Sequence, residues 1–339
     1  PRTLFPYPTL FRSLLGIKKR PFTAEDTLSV GGYMAYSFAA AFRTEPLLTY
    51  VRDQLGADYL KVFDLAWQPQ GALGQAPALA SADWKGLNDL SRLSLRALEE
   101  AGLPQFEGSN AWAISGSRTQ SGKPLLAGDP HIRFAVPSVW YEAQLSAPGF
   151  ELYGHHQALN PFASLGHNRD FGWSLTMFQN DDLDLIAEKT NPDNPNQVWY
   201  HGAWVDMIQS EQQILVKDAP AVTLHLRQSP HGPIINDALG ATAGTAPVAM
   251  WWSFLASENP ILQGFYEANR ADTLSKMRAA AEKIQSPGLN VVWANAKGDI
   301  GWWAAAQLPI RPEGVNPTFI LDGSTAQADK AGLDWKSVV

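Results

Sequence analysis

The chain has 339 residues, no cysteine, 13 tryptophans, 17% charged residues and a formal net charge of −7. That length can bury a substantial core and usually holds one or two domains, and the low charge with 11% aromatic residues excludes a disordered chain. The acidic balance leaves no basic stripe for nucleic acid, and the missing thiols exclude disulfides, thiolate catalysis and cysteine-based metal sites; no apolar run of about 18 residues could cross a membrane as a helix.

Residues 1–13 resemble the conceptual translation of a sequencing-library adapter and are set aside from fold reasoning; the alternative is a proline-rich extended arm. Thr23 can cap a helix with Glu25 and Asp26 in its first turn, where the helix dipole favours acidic groups. Leu28, Gly31, Ala35, Phe38 and Phe42 recur at three- and four-residue steps and predict one buried face. Glu45 to Leu55 continues helically with Leu48, Val51 and Leu55 inward. Gln68 to Ala82, rich in Pro, Gly, Ala and Ser, reads as a linker, and a helix is expected from about Trp84 to Ala101 before Gly102-Leu103-Pro104 stops it.

From residue 109 the pattern turns to strands. Ala111 to Ile114, Pro124 to Ala127, Val139 to Leu145, Phe150 to His155, Gly172 to Met177 and Leu183 to Glu188 are separated by turn residues. Val222 to Gln228 and Pro247 to Leu255 follow, then a helix at Asp272 to Ile284 stopped by Ser286-Pro287-Gly288. Leu289 to Ala294 and Ile300 to Ala305 flank a Lys297-Gly298-Asp299 turn. An α-rich piece followed by a β-rich piece is an α+β layered arrangement.

Four blocks stand out in order: Gly108-Ser109-Asn110-Ala111-Trp112, Gly128-Asp129-Pro130-His131, Leu165-Gly166-His167-Asn168 and Asn180-Asp181-Asp182-Leu183-Asp184. Alone, Gly-Ser-Asn is an ordinary turn. Together the four resemble the penicillin acylase family of N-terminal nucleophile hydrolases, over about residues 20–339. The resemblance implies a partial αββα sandwich in which residues 14–80 end a first, helical subunit, 81–108 form a spacer, and 109–339 begin a second, catalytic subunit. It also implies that both ends of the protein lie beyond this chain, that the two pieces stay together as a heterodimer, and that the protein is periplasmic or secreted.

The chemistry implied is self-cleavage at Gly108–Ser109. A serine hydroxyl needs a base, and a freed terminal amine, with an intrinsic pKa of about 7.7–8.0, sits on the same residue. No Gly-x-Ser-x-Gly elbow offers the usual alternative; Gly116-Ser117-Arg118 lacks the second glycine. Carried over from the family, the oxyanion donors match the Met177 backbone and the Asn290 amide, His131 matches a residue that holds the serine, and Arg311 falls near the oxyanion asparagine. Read without the family, Asn290 is a turn-capping amide, His131 a surface histidine and Arg311 a solvated arginine.

Asp181, Asp184 and the Leu183 carbonyl offer hard oxygen ligands suited to calcium, and the family adds a glutamate that matches Glu45; a solvated acidic turn is the alternative. No organic cofactor is expected. The acyl-pocket positions match Ala35, Ala39, Ile132 and Leu165, smaller and more aliphatic than the aromatics and methionine of penicillin G acylases, which leans towards longer aliphatic acyl chains such as those of acyl-homoserine lactones. The implied substrate is a small N-acyl amide of that kind or a β-lactam antibiotic, with no nucleic-acid or membrane partner. A rival from another class is a secreted, tryptophan-rich carbohydrate-binding or scaffold module that stacks sugars on exposed indoles.

Overall fold

A computed structural model describes residues 21–39, 41–63, six positions between 89 and 99, 106–135, 138–216, 218–239 and 247–336. The expected adapter segment, the linker and most of the expected spacer helix lie outside the described residues, although residues 89, 91, 92, 95, 96 and 99 are helical. No helix among the described residues is long and apolar enough to cross a membrane.

Two helices open the described chain, α1 (Ala24–Phe38) and α2 (Ala41–Tyr50). Thr23 caps α1 as expected, its N–H donating to Asp26 Oδ2 at 2.9 Å. Pro46 lies inside α2 without breaking it, and Val51–Leu55 widens into a π-turn instead of continuing the α-helix.

Seven strands build the main sheet: β3 (Trp140–Ala147), β4 (Phe150–Gln157), β5 (Leu165–His167), β6 (Phe171–Met177), β15 (Leu289–Asn295), β16 (Ile300–Ile310) and β18 (Gly332–Lys336). They are antiparallel neighbours in the order β18-β16-β15-β6-β5-β4-β3. Before them comes a two-stranded ribbon of β1 (Phe106–Ile114) and β2 (Leu125–Ile132). A second sheet sets β7 (Leu183–Ala187) between β14 (Val248–Trp252) and β17 (Leu321–Asp322). Six short strands between Thr190 and Pro233 make two peripheral three-stranded sheets.

Side chains alternate across a strand, and this divides the main sheet into two faces. Phe171, Trp173 and Leu175 of β6, Leu289, Val291 and Trp293 of β15, and Trp303 and Ala305 of β16 form one core with two helices, α3 (Ile261–Ala268) and α4 (Leu274–Ala281), through Phe265, Met277 and Ala280. Full burial of each large apolar side chain there contributes about 1.5–3 kcal/mol. The alternate residues, including Thr176, Asn290 and Trp302, face the ribbon. A second core joins Ala35, Ala39 and Phe42 to Leu183, Leu185, Val248 and Trp252, so α1 and α2 are packed into the β-rich part.

The layered α+β architecture is as the sequence predicts. Helix α3 is a difference. Its apolar residues Ile261, Phe265 and Ala268 do keep helical spacing, but the run is only eight residues long, directly after Pro260. Expected strand Pro247–Leu255 ends early at Trp252, where Ser253–Ala256 makes one helical turn.

Candidate active site

Ser109 lies inside β1, directly opposite Pro130 of β2, and is half-buried against the main sheet. Just before it the ladder slips: Phe106 pairs with Ile132 and Gly108 with His131, so Glu107 is an extra residue. A bulge of this kind disrupts the local ladder, and here it adjoins the Gly108–Ser109 peptide bond.

The nearest polar contact to the hydroxyl comes from β6. Met177 donates its backbone N–H to Ser109 Oγ at 3.3 Å. Local topology frees that group. Phe178 N–H bonds Gly288 O on the β15 side, so the preceding N–H points the other way, where β5 pairs with β6 only as far as Gly166↔Trp173 and His167↔Gly172.

Asn290 stands beside Met177. Its Nδ2 donates to Met177 O at 3.1 Å and to Thr176 Oγ1 at 3.0 Å, while its Oδ1 accepts from Trp302 Nε1 at 2.9 Å. Ser109, Met177 and Asn290, from β1, β6 and β15, are therefore brought together. The Met177 N–H touches the hydroxyl and the Asn290 amide touches the Met177 carbonyl, an arrangement able to stabilise an oxyanion once those donors are released from their present acceptors.

A narrow, largely apolar cavity opens at Ser109, about 460 Å3 counting its mouth. Met34, Phe38, Trp140, Leu165, Leu175 and Leu289 supply its apolar walls. Of the expected pocket residues only Leu165 lines it. Ala35 and Ala39 are buried in the second core, against Leu183, Leu185 and Trp252. The reason is helical phase: Met34 and Phe38 form one i, i+4 pair on the cavity side, and Ala35 and Ala39 form the next pair, about 100° round the helix. Ile132, opposite Phe106 at the end of the ribbon, lies outside the cavity lining. Met34, Phe38 and Trp140 thus line this cavity beside Leu165, Leu175 and Leu289, where Ala35, Ala39 and Ile132 were expected.

In the uncut chain His131 directs its hydrogen bonds to residues other than Ser109. It pairs with Gly108, so it shares the ribbon face of Gly108 and Asn110, opposite to that of Ser109. Its Nε2 contacts Asn110 Nδ2 at 3.2 Å and Asp129 Oδ2 at 3.0 Å, while Nδ1 approaches Gly108 so closely that a Cβ there would lie 3.4 Å away.

Arg311 is likewise displaced from the expected place. Its guanidinium clasps Asp184 at 2.8 and 3.0 Å and also bonds Asp181 O at 2.9 Å. Asn290 pairs with Ala304, and Arg311 follows seven residues later, just past the end of β16, roughly 20 Å of extended chain away.

The acidic block does assemble. Oxygens of Glu45, Asp181 and Asp184 lie within 4.8 Å of one another. Glu45, reaching in from α2, accepts from Leu185 N–H at 2.8 Å through Oε2, and its other oxygen is buried without a hydrogen-bond partner. Lys330 adds a second cation 2.9 Å from Asp184. With all three carboxyls ionised, the cluster would exceed its two cations by one negative charge. Burial, then the neighbouring Asp184 and Asp181, holds the Glu45 carboxyl well above the usual range, and burial pushes Asp181 up to about 7. The orphaned Glu45 oxygen and the all-oxygen donor set fit a hard divalent cation such as calcium. Leu183 is fully buried in β7, opposite Trp252. Asp182 points elsewhere, accepting from Ser253 and Ser286 hydroxyls at 3.0 and 2.8 Å.

Residues 6–336 match the family described as Penicillin amidase. An acyl-homoserine lactone acylase QuiP of Pseudomonas aeruginosa is 27% identical over 322 residues, 88% of this chain and 37% of the relative. One from Pseudomonas fluorescens is 30% identical over 74% of this chain and 32% of its own length, and the penicillin G acylase of Escherichia coli is 26% identical over 70% and 27%. A thermostable penicillin G acylase from Alcaligenes faecalis superposes with a TM-score of 0.60 at 23% identity, covering 68% of this chain and 42% of that one, which shows a common fold. The chain spans about a third of the length of these curated relatives.

Proposed function

The chain belongs to the penicillin amidase family, and on that premise we propose that it carries the nucleophile of an acylase acting on small N-acyl amides, with Ser109 as that nucleophile after cleavage of the Gly108–Ser109 bond. The observation that carries this reading is the Met177 N–H on Ser109 Oγ with the Asn290 amide alongside.

In the uncut strand Ser109 N is an amide and has no basicity. Attack of Ser109 Oγ on the Gly108 carbonyl carbon, with transfer of the hydroxyl proton to the departing nitrogen, exchanges the peptide bond for an ester. Water then hydrolyses the ester, leaving a Gly108 carboxylate and a free Ser109 amine. The amine can take the hydroxyl proton as Oγ attacks a substrate acyl carbon, and return it to the leaving amine; a second attack, by water, frees the acid. The Met177 N–H and Asn290 Nδ2 receive the developing oxyanion, each such donor contributing typically about 2.7–4 kcal/mol. The acyl group occupies the cavity between Phe38, Trp140 and Leu165.

Acyl-homoserine lactones and β-lactams are the candidate substrates, since relatives bear both names. Rings at Phe38 and Trp140 favour a flat aromatic acyl group or a chain that can lie between them. Glu45, Asp181, Asp184 and the Leu183 carbonyl would hold calcium, which would supply the positive charge this cluster lacks. Helices α1 and α2 would remain bound after cleavage through the second core, giving a heterodimer, in the periplasm or outside the cell. The reading as a sugar-binding module is not favoured: Trp173, Trp252, Trp293 and Trp303 are core residues, not stacking platforms.

The test is intact mass and N-terminal sequencing of the protein expressed in the full length its gene encodes. Two chains are expected, one beginning Ser-Asn-Ala-Trp, and Ser109→Ala should stay uncut and inactive.

A further inference from the structure

Trp302 makes one polar contact of consequence: its indole N–H donates to Asn290 Oδ1 at 2.9 Å. An indole N–H can only donate, so the Asn290 oxygen must face Trp302 and its nitrogen must face Thr176 and Met177. Met177 O, which can only accept, selects the same orientation at rest, and Trp302 selects it independently from the other end of the amide.

Register explains the reach. Val292 pairs with Trp302 and Asn290 with Ala304, so Trp302 is the diagonal neighbour of Asn290 on one sheet face, a separation that aromatic side chains span. The indole is 45% exposed, on the wall of an open groove shared with Trp112, Val292 and Ile300. It could satisfy its N–H with water there, so burial does not force the bond to Asn290.

The other two partners behave differently during turnover. Thr176 Oγ1 can accept or donate and does not select an orientation, while Met177 O accepts from the same Nδ2 that a substrate oxyanion would engage. For Nδ2 to serve an oxyanion, one of these two bonds must yield. The bond from Trp302 engages the opposite end of the amide and persists.

We propose that Trp302 is a positioning residue that fixes the Asn290 amide with its nitrogen towards the reacting carbonyl. This rests on the reading of Asn290 as an oxyanion donor.

The experiment is a double-mutant cycle in the full-length, cleaved protein, with Trp302→Phe, Asn290→Ala and the pair, assayed on the p-nitroanilides of phenylacetic and decanoic acids. Loss of one hydrogen bond that acts on the transition state predicts a kcat about tenfold lower for Trp302→Phe, with KM changed less than about twofold. In the Asn290→Ala background the same substitution should change kcat less than about twofold, because nothing remains to orient. Trp302→His, which restores a ring N–H, should recover part of the loss, and this comparison also stands if Trp302→Phe folds poorly. Wild-type kcat in Trp302→Phe, an equal loss in both backgrounds, or a histidine variant no better than phenylalanine overturns the proposal while leaving Asn290 its role. Wild-type turnover by Asn290→Ala would remove that role, and the proposal with it.

Discussion

Met177 and Ser109 are 68 residues apart in the chain, yet the backbone N–H of one reaches the hydroxyl of the other at 3.3 Å. The contact exists because β5 ends before β6 does, freeing one N–H, and because β1 crosses that end of the sheet with its serine side inward. Asn290 completes the arrangement from the neighbouring strand.

If Asn290 stabilises the oxyanion, Asn290→Ala should lower kcat about 10²- to 10³-fold. KM should change little, and melting should stay close to wild type, since the residue is only half-buried. Steady-state kinetics with a thermal melt decides it; a kcat within threefold of wild type contradicts the assignment.

Much of this was legible in the sequence. Strand alternation after Ser109, the turn before Asn290 and the carboxylates of the Asp181–Asp184 block all lie where local pattern and family spacing put them. What the sequence could not resolve was phase and facing. The cavity at Ser109 is one residue out of the expected register on α1, because Met34 and Ala35 begin i, i+4 pairs of equally apolar character and only packing decides which pair meets β7. In the uncut chain His131 lies on the ribbon face opposite to that of Ser109, a facing that could not be read before the bulge at Glu107 was known. Trp302 gave no signal at all, since one indole among 13 looks like any other core residue.

The cavity assignment separates two substitutions on α1. Phe38→Ala should enlarge the cavity and raise kcat/KM for a decanoyl amide relative to a phenylacetyl one, each newly buried methylene contributing about 0.8 kcal/mol. Ala35→Phe should instead overpack the core beside Leu183 and Leu185 and destabilise the protein by about 1–3 kcal/mol. Kinetics on both amides and denaturant melts of both variants test this; a specificity switch in Ala35→Phe with unchanged stability would reverse it.

Calcium should raise the melting temperature of protein stripped by a chelator, and Glu45→Gln should blunt that response. Glu45 carries the buried oxygen that has no partner, so it is the ligand with most to gain from a cation. A calcium titration followed by calorimetry measures it. Identical melting with and without calcium contradicts the metal site.

His156 makes a pH prediction. It is buried and stacked on Tyr141 with ring centroids 5.2 Å apart, and desolvation lowers its pKa below the ordinary value of 6.5. The unfolded chain therefore binds this proton more readily than the folded one. Stability from the neutral ring is fully present above about pH 6.5 and is lost as pH falls towards and through the lowered folded value. His156→Phe, which keeps the stacked ring, should flatten the melting curve against pH between about 7 and 5. An unchanged slope in that variant would show that other groups set it.

The most direct test of the whole account is the N-terminal sequence of the larger chain in freshly expressed, full-length protein. Cleavage before Ser109, giving Ser-Asn-Ala-Trp, with a single uncut chain for Ser109→Ala, is the predicted result. A wild-type protein that stays uncut and still hydrolyses N-acyl amides would contradict the terminal-amine mechanism at its root.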